Sequence, residues 1–169
     1  MASGDPVVQV LQVMPPGANA ARMDARAGGS TPAENIIVYD FDPAADTYMD
    51  FLCKLVGYDD GGLAFTGPWS ASSGTSGQVR WRYALRRIAD DAEDVDGAHT
   101  YAYNEVSDTA PSVNGELSYP TISFTDGADM DNVGDGELFV LRVHRDYDHA
   151  DDNMAGDAEL WGPPIGVES

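Results

Sequence analysis

The stretch Val79-Arg80-Trp81-Arg82-Tyr83-Ala84-Leu85-Arg86 alternates residue types with a period of two. Successive side chains of an extended strand point to opposite faces. Val79, Trp81, Tyr83 and Leu85 therefore share one face and Arg80, Arg82 and Arg86 the other. A helix would mix the two sets, so the segment reads as a strand with its apolar face turned to a core. Helical periodicity is poor elsewhere too, and turn signals recur at short intervals. Strands are predicted at Ile36–Phe41, Thr47–Val56, Gly62–Trp69, His99–Val106, Leu117–Thr125, Glu137–Arg145 and Ala158–Gly162. The turn Asp59-Asp60-Gly61-Gly62 separates two of them, and a single helical turn within Gly127–Val133 would drop Met130 and Val133 onto the core.

From residue 36 onward this gives about eight strands, the count of a jelly roll. The expected fold is all-β: a jelly-roll-like antiparallel sandwich, preferred to an immunoglobulin-like one whose Cys, Trp, Cys framework is missing. No internal repeat suggests a propeller or solenoid.

Residues 1–35 differ in composition. An apolar run, Val7–Met14, is followed by Pro15-Pro16-Gly17 and then a stretch rich in Ala, Gly, Ser and Pro. The segment reads as an extended arm carrying one strand, with residues 36–169 as the sandwich domain. An unpaired apolar edge invites aggregation, so Val8, Val10, Leu11 and Val13 should pair either with the chain's own sheet or with a neighbouring subunit by strand addition.

The 169 residues, 43% of them hydrophobic, suffice for one domain that buries roughly 70% of its unfolded surface. Cys53 is the single cysteine and lies in an apolar run, so it reads as a small buried hydrophobe, with no intramolecular disulfide available. The start of the chain shows no secretory signal pattern, and no run of about 18 apolar residues exists to span a membrane. A soluble protein is expected, one that leaves a cell within an assembled particle if at all.

Acidic residues number 29 against nine basic ones, a formal charge of -20. Such a field repels phosphates and argues against nucleic acid as a partner. Only Lys54 accompanies eight arginines, a composition that fits saline surroundings. Three loops concentrate the acids: Asp90–Asp96, Asp126–Glu137, and Asp146 running on to Glu159. Asp-rich loops can supply the six to eight oxygens calcium takes, and Asp146, Asp148, Asp151 and Asp152 are candidate ligands. Neither Asp129-Met-Asp-Asn nor Asp146-Tyr-Asp-His completes an EF-hand, however, and the bland reading is a solvated face.

No catalytic pattern appears. His99, His144 and His149 lack the spacing of a metal-dependent cupin, and His144, which shares a strand face with Arg142, is expected at the surface or an interface. There is no Gly-x-Ser-x-Gly elbow, no His next to Cys53, and no phosphate-binding loop. Arg80, Arg82 and Arg86 could dock an acidic partner or pair with carboxylates of the adjacent strand as a charge ladder; the ladder is the preferred reading.

Several separate motifs, Trp69-Ser-Ala-Ser-Ser-Gly-Thr-Ser-Gly77, Val79–Ile88, Ile122-Ser-Phe-Thr-Asp-Gly-Ala-Asp-Met-Asp131, Gly136-Glu-Leu-Phe-Val-Leu-Arg-Val143 and Met154-Ala-Gly-Asp-Ala-Glu-Leu160, together resemble a family of small structural proteins of tailed bacteriophages. The resemblance covers residues 62–161 and leaves out the arm. It implies a non-enzymatic virion component: a capsid decoration (cement) protein that is assembled in the host cytoplasm and binds the major capsid protein on the capsid exterior as a homotrimer. No cofactor is expected beyond a structural Ca2+ in the acidic loops. In the alternative, the domain is a receptor-binding, glycan-binding tip of a tail fibre, for which Trp69, Tyr101, Tyr103 and Trp161 are the available aromatics.

Overall fold

In a computed structural model, residue 5 and residues 7–169 are described; the remaining first residues of the expected arm lie outside them. The described residues form twelve strands and one short 3-10 turn. The strands are β1 (Val8–Met14), β2 (Arg22–Ala27), β3 (Asn35–Phe41), β4 (Thr47–Leu55), β5 (Leu63–Thr66), β6 (Trp69–Ala71), β7 (Gln78–Ile88), β8 (Asn104–Thr109), β9 (Thr121–Phe124), β10 (Leu138–Arg145), β11 (Ala158–Leu160) and β12 (Ile165–Glu168). One layer is a five-stranded sheet ordered β1-β4-β10-β7-β8; the other comprises β2-β3-β11-β6 and β12-β5-β9. All strand pairings are antiparallel. The molecule is thus the expected all-β, jelly-roll-like sandwich, with more strands than the sequence pattern suggested.

Alternation on β7 builds the core as expected: Val79, Trp81, Tyr83 and Leu85 are buried, while Arg80, Arg82 and Arg86 face the other way. Edge-to-face aromatic contacts tie the layers together. Trp81 meets Phe41 of β3 at 5.1 Å and Trp69 of β6 at 5.8 Å, Phe51 meets Tyr39, and Phe139 meets Phe65. Such pairs contribute about 0.5–1.5 kcal/mol each beyond their area burial. The 3-10 turn Ala128–Met130 forms inside the acidic loop and buries Met130, with Val133 behind it. In the turn before β5, Gly62 has φ 88 and donates its N–H to the Tyr58 hydroxyl; a Cβ there would lie 2.6 Å from the Phe124 carbonyl oxygen, so only glycine fits.

Two segments depart from the expectation. The Ala, Gly and Ser-rich part of the arm contains β2, which pairs with β3 along its length. Its residues are mostly exposed, so no apolar alternation marked it. Conversely, only the end of His99–Val106 is a strand. Residues 99–103 pair with no strand, and Tyr101 and Tyr103 lie across the outer surface of the five-stranded sheet instead. The aromatic alternation that imitated a strand comes from a segment that packs its tyrosines downward on a sheet rather than into one.

Candidate functional site

The face of the five-stranded sheet away from the core carries the features that a packed sandwich does not need. On β4 it presents Tyr48, Asp50 and Leu52; on β10, Val140, Arg142 and His144; on β7, Arg82, Arg86 and Ile88. Register brings Arg142 opposite Asp50, and His144 opposite both Tyr48 and Arg82. Arg142 donates Nε and Nη2 to the two Asp50 carboxylate oxygens at 2.8 and 2.7 Å, a bidentate pair. Its guanidinium lies 4.1 Å from the Tyr101 ring centre and 5.4 Å from that of Tyr48. Arg82 lies 4.6 Å from the Tyr103 ring centre, and His144 stacks on Tyr48 at 4.3 Å. The result is a row of alternating cations and aromatic rings across the sheet.

Hydrogen bonding to Asp50 pushes the Arg142 pKa further up, so that this cation is permanent. Burial raises the Tyr101 and Tyr103 phenols, leaving both neutral at physiological pH.

At one end of the row a groove of about 410 Å³ opens. Met14, Pro15 and Pro16 form one wall, Leu52, Val140 and Ile88 the apolar floor, Val95 and Tyr101 the opposite wall, and Asp50, Arg142 and Arg86 the polar edge. An apolar hollow with a few convergent polar groups is the usual form of a small-ligand site. Arg86 is distinctive. Its Nη2 donates to the carbonyls of Asp94, Val95 and Gly97, and it is the one arginine of the eight that, among the described residues, has no carboxylate within ion-pair distance.

The residues singled out in the sequence are scattered. In β1, Val8 and Val13 pack against the core from opposite Leu55 and Phe51 of the same chain, Val10 is exposed opposite Cys53, and Leu11 is exposed at the bulge. The strand therefore joins its own sheet, as an edge. Arg80 and Arg82 pair with Glu105 of β8, and Arg82 also with Asp146, so these two form the expected ladder; Arg86 does not belong to it.

The four candidate calcium ligands do not converge. Asp148 is exposed, Asp151 lies 3.9 Å from Arg80, and Asp152 is engaged by the Arg145 guanidinium at 2.7 Å. Asp146 accepts from Arg82. Among the aromatics, Trp69 is fully buried, donating its indole N–H to Asp108, and Trp161 donates to Ser70, which leaves Tyr101 and Tyr103 at the site. His144, expected near the surface, is buried, covered by Tyr48 and Tyr103, and burial depresses its pKa. Cys53 is fully buried in the core, which pushes its thiol up to about 12.

Sequence reasoning missed Arg142 and Asp50, whose signal was their place on the outward parity of two adjacent strands. It also missed the Pro15-Pro16 wall, which read as part of the extended arm.

The sequence matches no protein-family model and no curated protein. Solved structures do share the fold. The CBM22-1 xylan-binding domain of Paenibacillus barcinonensis Xyn10C superposes with a TM-score of 0.52 over 100% of this chain and 98% of its own, at 10% identity. CBM28, a carbohydrate-binding module specific for non-crystalline cellulose, gives 0.52 over 93% of this chain and 87% of its own, at 14% identity. At such identities the likeness is one of architecture.

Proposed function

We propose that this chain is a non-catalytic glycan-binding domain whose ligand lies in the groove beside Tyr101 and Arg142. The groove carries the reading: its apolar floor and aromatic wall suit the C–H faces of a sugar ring, and the fixed Asp50–Arg142 pair offers both acceptors and donors to hydroxyls. The two sandwiches of the same architecture bind xylan and cellulose, which makes polysaccharide the ligand class to test first. Arg86 sharpens the class. A guanidinium with no carboxylate partner among the described residues, in a chain of charge -20, favours a glycan that brings its own carboxylate, such as a uronate-containing chain.

Affinity gel electrophoresis against matched neutral and uronate-containing polysaccharides tests this. Retardation by the acidic polymer should fall about tenfold in Arg86→Gln and in Tyr101→Ala. Equal migration with and without every polymer would sink the reading.

A second reading is favoured by one observation. β1 is an edge strand with Val10 and Leu11 exposed, a surface onto which another chain could add a strand. On it rests the proposal of a bacteriophage virion protein attached to the capsid exterior; co-sedimentation with phage heads, abolished by Leu11→Lys, would support it.

A further inference from the structure

At the far end of the aromatic row from the groove, the segment before β4 and the end of β10 bring together Asp46, His144 and Asp146. One ligand-capable atom from each lies within 4.8 Å of the other two. His144 is 3% exposed, and among the described residues neither ring nitrogen has a hydrogen-bond partner. Asp46 Oδ1 is only 3.2 Å from Nε2, yet the two are not in hydrogen-bonding geometry. Buried side-chain polar atoms are nearly always satisfied, and each exception calls for a cause, an absent ion among them. The sheet itself does not need an imidazole here, since an apolar ring would stack on Tyr48 equally well and leave no orphan nitrogens.

We propose that Asp46, His144 and Asp146 bind a divalent transition-metal ion of the zinc type. One imidazole and two carboxylates form a mixed nitrogen and oxygen set, which suits Zn2+ and its neighbours; calcium takes six to eight oxygens and gains little from a buried imidazole. The surroundings fit. The Asp146 Oδ2 accepts from Arg82 at 3.0 Å, which orients the carboxylate and leaves Oδ1 for the ion. Arg82 is itself shared with Glu105, so its charge is partly compensated. The Tyr147 backbone N–H donates to Asp46, fixing that side chain too. The Asp46 side chain is 33% exposed, which gives the ion a way in from solvent while the imidazole stays covered. The site stands independently of the glycan reading.

The test is calorimetric titration of chelator-treated full-length protein with ZnCl2 and, separately, CaCl2. One Zn2+ per chain is expected, with calcium at least tenfold weaker. Because a strongly acidic surface binds cations diffusely, variants decide. Asp46→Asn, a change at a partly exposed side chain that should fold normally by circular dichroism, should weaken zinc at least tenfold; Asp148→Asn, in the same loop region but outside the cluster, should leave it unchanged. Co2+ in place of zinc should show visible absorption bands that Asp46→Asn loses. Absence of saturable zinc binding, zinc binding retained in Asp46→Asn, or calcium bound as tightly as zinc would each overturn the proposal.

Discussion

Two arginines three residues apart on β10 do opposite things. Arg145 points into the sandwich, is fully buried, and is held by Asp152 and by the carbonyls of Phe41, Met154 and Gly156. Arg142 points outward, grips Asp50, and lies between two tyrosine rings. Each has one carboxylate partner, yet the surroundings assign different work. Around Arg145 the acceptors are mostly main-chain carbonyls, one at the end of β3 and two in the loop that also carries Asp152, so its charge stitches that loop to β3. Around Arg142 the neighbours are side chains bordering a groove, so its charge faces the opening where a ligand is proposed to lie. The same residue type on one strand serves the fold on one face and the site on the other, and strand parity decides which.

The sharpest way to break that contrast is to remove each cation. Arg145→Ala leaves Asp152 and three carbonyls buried without their partner and should cost about 3–5 kcal/mol in denaturant unfolding, enough to threaten folding altogether. Arg142→Ala should cost less, about 1–3 kcal/mol, because Asp50 borders an open groove, but it should remove polysaccharide binding. If the two variants lost stability equally, the assignment of Arg142 to the site would fail. Smaller again is the ladder: Arg80→Gln should change stability by less than about 1 kcal/mol, with even that difference vanishing in molar salt.

The pH dependence gives the smallest and most distributed effect. Hydrogen bonds from Arg80 and Arg87 hold the Glu105 and Glu137 carboxyls below the usual carboxylate range. A lowered folded value means that their stabilisation is complete above the ordinary range and is lost as pH falls through the lowered value. Thermal unfolding followed from neutral pH into acid should therefore show a midpoint that declines only below the ordinary glutamate range, and Arg87→Gln should shallow the decline.

The fold was legible where one face of a strand is buried. β7 alternates over Val79–Leu85, and Met130 and Val133 marked their own burial within an acidic loop. β2 was invisible because it lies on an edge with almost no buried side chain, in a stretch whose Ala, Gly, Ser and Pro content read as an extended arm. The site was harder for a different reason. Tyr101 and Tyr103 stood out as aromatics, but their alternation is equally that of a strand, and only the packing of residues 99–103 on the sheet shows Tyr101 as a groove wall and Tyr103 as a cover over Arg82 and His144. Asp50 and Arg142 are 92 residues apart, and nothing local links them. The four loop carboxylates do not gather because neighbours in sequence within an acidic loop point to different partners, Asp152 inward to Arg145 and Asp148 to solvent.

The most direct test of the central claim is isothermal titration of the full-length protein with a uronate-containing oligosaccharide, alongside Tyr101→Ala at equal stability. The account predicts saturable binding by the parent protein that weakens at least tenfold in the variant. Binding of equal strength in both, or none in either across neutral and acidic glycans, would contradict it.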